Sequence, residues 1–131
     1  FQRIREARPT TLFISADGPR ADRPDEARLC EESRAIVGEI DWSCEGKTLF
    51  RSKNLGCKEA PSSAITWFFE SVSEGIILED DCVPHPTFFR FCAELLERYR
   101  ETLTATEVYR LAWPVFPPCF RIHSIYAGLC A

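Results

Sequence analysis

The chain has 131 residues, enough for one domain with a buried core but few for an enzyme that binds two substrates. Its composition, 45% apolar and 27% charged, is typical of a soluble globular protein, and the net charge of −4 disfavours non-specific nucleic-acid binding. No apolar run reaches the roughly eighteen residues needed to span a membrane, and the first residues lack a signal-peptide pattern.

The first half of the chain alternates between predicted helices and strands. A helix ends within Phe1–Arg8, and the apolar run Thr11–Ser15 predicts a buried strand that stops at a turn. Apolar residues at helical spacing predict a helix over Asp25–Ile40, whose acidic first turns suit the helix dipole. A shorter strand is predicted at Lys47–Arg51.

The pattern continues with a helix over Pro61–Val72 and a strand at Gly75–Leu78. This strand is an unbroken apolar run, which is typical of burial on both faces of a sheet. Pro86 then predicts a new helix, because proline favours the first helical position. The element order indicates an α/β fold with a mainly parallel sheet flanked by helices.

The last segment, residues 108–131, has a different composition. It is apolar and contains no Asp or Glu, and Pro114, Pro117 and Pro118 exclude a regular helix through it. We therefore divide the chain into residues 1–107, the α/β part, and residues 108–131, an atypical apolar tail. An exposed tail of this kind would favour self-association.

The seven cysteines are odd in number and contain no C-x-x-C pair. Several fall where a helix or strand would bury them as small apolar groups. We expect reduced, buried thiols in a cytoplasmic protein, with a disulfide or metal framework as the alternative.

Three successive acids, Glu79, Asp80 and Asp81, directly follow the strand Gly75–Leu78. Because burying charge is costly, they belong at the exposed carboxyl end of the strand, where open α/β sheets bind ligands. Adjacent carboxylates repel unless a cation neutralises them, and Mg²⁺ or Mn²⁺ prefers such oxygen ligands. The alternative is a solvated acidic turn. Strand alternation would direct Glu79 and Asp81 to one face and Asp80 to the other.

Two further loops follow predicted strands. In Asp17–Arg20, the Asp17 carboxylate could accept hydrogen bonds from a nucleoside, Gly18 allows close backbone approach, and Arg20 could pair with a phosphate. The same residues are also ordinary turn formers. Asn54 lies in a second loop, where a ligand contact is possible but not required. His85, just before Pro86, fits a helix-start role better than a metal site.

Taken in order, these motifs resemble those of GT-A-fold glycosyltransferases that use nucleotide-diphospho-sugars. The stretch Gly75–Leu96 is similar to the metal-binding segment of bacterial members sometimes labelled hemolytic-protein-like, with Glu-Asp-Asp as the version of the D-x-D motif. A looser likeness is to the N-acetylglucosaminyltransferase I group. Phe13–Arg20, Asn54–Cys57 and Trp67–Glu70 also resemble that family, so the likeness spans roughly residues 1–100.

The resemblance implies roles for individual residues. Asp81 would ligate Mn²⁺ or Mg²⁺, Asp80 and Glu79 would lie against the ribose and metal-bound water, and Asp17 would lie near the base. The donor would be a UDP- or GDP-linked sugar, and the metal would neutralise its diphosphate leaving group.

The chain departs from the family pattern at both ends. The first strand of the family is missing before Phe1, and residues 108–131 do not match the region that supplies the acceptor site and the base. We therefore expect a transferase fragment whose catalytic base and acceptor are unknown. The alternatives are a non-catalytic nucleotide-sugar-binding remnant, a magnesium-dependent phosphotransfer or phosphatase-like domain, and a folded remnant with no ligand.

Overall fold

The computed structural model describes residues 1–100 in full and the backbone of residues 125–130. The elements, in chain order, are α1 (Gln2–Ala7), β1 (Thr11–Ala16), α2 (Glu26–Arg34), a 3₁₀ helix (Ala35–Glu39), β2 (Glu45–Phe50), α3 (Gly56–Ser71), β3 (Ile76–Leu78), α4 (Phe88–Tyr99) and β4 (Ile125–Cys130). Strands β1, β2 and β3 and the first helix lie close to their predicted positions. No described helix is both long enough and apolar enough to cross a membrane.

Three helix boundaries differ from the predictions. The α-helix predicted to reach Ile40 ends at Arg34 and tightens into the 3₁₀ helix. Helix α3 begins at Gly56, five residues before Pro61, because an acceptor from a distant loop caps the extra turn, as described below. Helix α4 begins at Phe88 rather than at Pro86, which lies in the preceding turn.

The four strands form one mixed sheet in the order β2-β1-β4-β3. β1 and β2 pair in parallel from Thr11↔Glu45 to Ala16↔Phe50, and β4 runs antiparallel to both of its neighbours. Strands β1, β2 and β3 therefore point the same way, as expected. However, β4 separates β3 from β1, so one adjacent pair is parallel and two are antiparallel. Among the described strands the sheet is therefore mixed rather than mainly parallel, because an antiparallel strand lies where parallel pairing was expected. The fold is mixed α/β.

The core lies on both faces of β1. On one face Leu12 and Ile14 pack with Ile4 of α1 and Leu78 of β3. Partly buried side chains surround them: Phe1, Val37, Ile40, Trp42, Cys44, Ile76, Cys82, Phe88 and Phe89. On the other face the Phe13 ring meets Phe68 of α3 edge-on, at 5.0 Å between ring centroids. Helices thus cover both faces, and each fully buried β1 side chain contributes about 1.5–3 kcal/mol of apolar burial.

Strand β3 is less buried than its composition predicts. It is an edge strand among the four described, and Ile76 and Ile77 are half-buried whereas Leu78 is buried. The expectation of burial on both faces is wrong because an unbroken apolar run does not specify whether a strand is central or at an edge.

The predicted tail, residues 108–131, falls mostly outside the described residues, and so do Pro114, Pro117 and Pro118. Its strand β4 is hydrogen-bonded within the same sheet as residues 11–16 and 76–78. The five cysteines of residues 1–100 are free thiols, and Cys30 is buried.

Candidate functional site

The carboxyl ends of β1, β2 and β3 meet at one edge of the sheet, because these strands run in the same direction. The loops that follow them, residues 17–20, 51–55 and 79–82, contain every site residue expected from the sequence. Ile14 and Leu78 both pair with Ala127, so the acids begin beside the last residues of β1. With β4 between them, β1 and β3 lie about 10 Å apart, which is two inter-strand spacings.

The Asp17 carboxylate is buried and bonded by four protein donors. One oxygen, Oδ1, accepts the N–H groups of Gly18 (2.8 Å) and Leu55 (2.9 Å). The other, Oδ2, accepts the Asn54 side-chain amide (2.9 Å) and the Gly56 N–H (3.0 Å), with Leu55 N–H also at 3.1 Å. A carboxylate has about four lone-pair sites, so these are filled. Asp17 caps the start of α3 and ties it to the end of β1.

The loop from β2 to α3 depends on two glycines. A Cβ on Gly18 would lie 2.4–2.6 Å from backbone atoms of Lys53, so the two loops touch at a distance that other residues forbid. Asn54 holds this contact, since its N–H donates to Pro19 O (3.2 Å) and its amide donates to Gly18 O (3.0 Å). Gly56 has φ +80°, a left-handed conformation that favours glycine.

Arg20 forms an ion pair with Glu26 at the start of α2. Its Nε donates to Glu26 Oε1 at 2.8 Å, its Nη2 contacts the same oxygen, and its backbone N–H donates to Oε2 at 3.0 Å. The Glu26 side chain is 8% exposed, whereas that of Arg20 is 43% exposed. The guanidinium that was expected to meet a phosphate is thus anchored within the protein, with part of its surface open to solvent.

Arg34 is a site residue that the sequence did not reveal. From α2 it donates to the carbonyl oxygens of Asp17 (3.0 Å) and Arg51, which follow β1 and β2. One turn earlier, the Cys30 thiol lies 3.9 Å from the same Asp17 oxygen. Cys30 and Arg34 are four residues apart, so the sequence places their side chains on one face of the helix. The neighbouring sequence does not indicate that this face contacts the ends of β1 and β2. Arg34 therefore fixes the two loops relative to each other.

The acids occupy a turn rather than an extension of β3. The Cys82 N–H donates to Glu79 O at 3.1 Å, and the Cys82 side chain packs against the core. The expected alternation of Glu79, Asp80 and Asp81 therefore does not extend beyond Leu78. All three acids are exposed at the sheet edge. We call residues 79–82 the acid turn.

The electrostatics of the acid turn favour cation binding. Partial burial raises the pKa of the Glu79 carboxyl above its ordinary value, and the charges of Asp81 and Asp80 raise it further. Within the described part of the chain, no three His, Cys, Asp or Glu side chains are grouped to hold a metal. Magnesium sites commonly use one or two carboxylates plus substrate phosphates, so the donor set fits a site that the substrate completes.

His85 has the expected role at a helix start. Its Nδ1 lies 2.9 Å from Thr87 Oγ1 and 3.3 Å from the Thr87 nitrogen, and its carbonyl accepts the Phe88 N–H at 2.9 Å. These contacts explain why α4 begins at Phe88, and they orient the segment that follows the acid turn.

Comparisons of this chain with models of protein families, with curated proteins and with solved structures find no match.

Proposed function

We propose that residues 1–107 are part of a metal-dependent, GT-A-type glycosyltransferase domain that binds a UDP- or GDP-linked sugar at the carboxyl edge of its sheet. The observation that carries this proposal is the acid turn, exposed at the same edge as the loops that hold Asp17 and Asn54. A cation site and two polar loops on parallel strand ends suit a diphosphate with a nucleoside attached.

Each acid has a role in the proposal. Asp81 would hold Mn²⁺ or Mg²⁺, while Glu79 and Asp80 would lie against the ribose and metal-bound water. The bound ion would supply positive charge against the diphosphate leaving group. The raised pKa of Glu79 supports this assignment, because burial, and then the charges of Asp81 and Asp80, disfavour the charged carboxylate, which a bound cation would stabilise.

The roles of the other predicted residues are refined by their contacts. Because the Asp17 oxygens are already bonded, this residue would support nucleotide binding by holding the loop that contains Asn54. Gly18 would allow the two loops to meet. Arg20 would offer its exposed guanidinium edge to a phosphate while Glu26 holds the other edge.

Residues 1–107 would bind the donor sugar nucleotide, and the whole domain would transfer the sugar to an acceptor that is unknown. An inverting transfer needs a base, and residues 108–131 contain no Asp or Glu to serve as one. The free thiols of residues 1–100 support a reducing compartment such as the cytoplasm.

Calorimetric titration with UDP and GDP, with and without Mn²⁺, tests the proposal. We expect binding that requires Mn²⁺ and is lost in Asp81→Asn and weakened in Glu79→Gln. The matched control is Glu45→Gln, which removes an exposed carboxylate at the opposite end of β2. No nucleotide binding by folded protein would overturn the proposal. Binding of a phosphate analogue with Mg²⁺ in the absence of nucleotide would favour a phosphotransfer domain instead.

A further inference from the structure

We infer that Lys53 is a diphosphate-binding residue that acts from the side of the site opposite the acid turn. This inference rests on the proposed function, since it names a further residue for the same ligand. It is carried by the position of Lys53, by the protein partners of the neighbouring arginines, and by the two N–H groups already bonded at the start of α3.

The backbone of Lys53 is held over the end of β1. Although it follows β2 in sequence, it lies close enough to Gly18 that a Cβ there would be 2.4–2.6 Å from Lys53 N, C and O. The next residue, Asn54, is fixed by bonds to Asp17, Gly18 and Pro19. Because of this contact, the Lys53 backbone lies beside the loop that follows β1, and β1 is one strand nearer to the acid turn than β2 is. The exposed Lys53 side chain extends from this fixed backbone.

The arginines at this edge already have partners. Arg20 pairs with Glu26, Arg34 donates to two carbonyl oxygens, and Arg51 Nη2 donates to Ser63 Oγ at 2.9 Å. The Lys53 ammonium forms no hydrogen bond or ion pair with any described residue. Its three N–H donors are therefore available to a ligand.

The usual alternative for phosphate binding, the start of a helix, is partly occupied here. Helix N-termini bind phosphates through free N–H groups, but in α3 the N–H groups of Leu55 and Gly56 donate to Asp17. A diphosphate at this edge would therefore draw its positive charge from the cation at the acid turn, from the exposed edge of Arg20 and from a lysine that has no partner among the described residues. The end of β1 lies about 10 Å from β3, and the flexible lysine stem can shorten that gap.

The test compares Lys53→Gln with Lys58→Gln by titration with UDP, GDP and the corresponding nucleosides in the presence of Mn²⁺. Lys58 is a matched control because it is also exposed, lies in the first turn of α3 and forms no ion pair with a described residue. We expect Lys53→Gln to bind the diphosphates about tenfold more weakly, as for the loss of one charge-assisted hydrogen bond. Nucleoside binding and thermal unfolding should not change.

The outcomes separate the inference from the proposed function. If wild-type protein binds UDP or GDP and Lys53→Gln binds equally well, the inference is wrong and the proposed function stands. An equal loss in Lys58→Gln, removed by raising the salt concentration, would also overturn it, because that pattern indicates long-range attraction rather than contact. Absence of nucleotide binding by the wild type overturns both.

Discussion

Replacing Asp17 tests the claim that its main role is to cap α3 and join two loops. Asp17→Ala removes the acceptor of four donors, one of which, the Gly18 N–H, is buried. Loss of a helix cap costs about 1 kcal/mol, and a buried N–H left unbonded costs about 1–3 kcal/mol. Since water can reach the half-buried N–H groups of Leu55 and Gly56, we expect a total loss of about 3 kcal/mol.

The loss is measurable by urea unfolding followed by far-UV circular dichroism. With a urea m-value of about 1–3 kcal/mol/M, the midpoint should fall by about 1–3 M. Asp17→Asn keeps one acceptor oxygen but directs an NH₂ group at other donors, so it should lose about 2 kcal/mol and provides a milder variant that folds. Asp22→Asn, with a side chain that is 80% exposed, is the control. An Asp17→Asn variant as stable as Asp22→Asn would refute the capping role.

Three further predictions follow from the same contacts. Gly18→Ala should lower the unfolding free energy by at least about 1–3 kcal/mol, because the new Cβ would clash with the backbone of the β2–α3 loop. The control Gly38→Ala has open space around it and should be nearly neutral. Urea unfolding compares the two variants. Arg34→Lys should lower the unfolding free energy by about 1–3 kcal/mol, because a single ammonium replaces a guanidinium that reaches two carbonyl oxygens. The control Arg28→Lys, at an exposed position, should change it by less than about 0.5 kcal/mol. Thermal unfolding compares the two variants, and an equal effect would contradict this role of Arg34. The folded state raises the pKa of Glu79, so its charged form opposes folding: wild-type stability should fall as pH rises through the window above the ordinary glutamate pKa. Glu79→Gln should therefore be more stable than wild type at pH 7 and equally stable below about pH 4. If the variant were still more stable than wild type in acid, the charge of Glu79 would not be the cause of the difference.

Much of the fold could be predicted from local patterns. The apolar run of β1 and the helical spacing in α1 and α3 specify elements that bury one face or both. The start of α3 could not be predicted, because its cap is Asp17, whose side chain is 39 positions from Gly56 in sequence. The place of β4 could not be predicted either, since an apolar run carries no information about which strand it will pair with.

The candidate site was likewise predictable from the sequence only in part. The meeting of three loops at one edge was predictable from strand direction, since parallel strands end together. The detailed contacts were not. Asp17 and Arg20 have side chains suited to a ligand, yet the structure gives them protein partners from other elements. Arg34 was missed because a charged residue on a helix usually faces solvent.

The position of β4 has a consequence for how the protein is made. Strand β3 pairs with β4, and β4 pairs with β1, although residues 17–124 separate those last two strands in sequence. During synthesis, β1, β2 and their helices leave the ribosome long before β4, so this half of the sheet can form first. The hydrogen bonds that join β3 to the rest of the sheet can form only when residues 125–130 have emerged. Pairings so distant in sequence slow folding, and here they delay the pairing of the strand that ends at the candidate cation site.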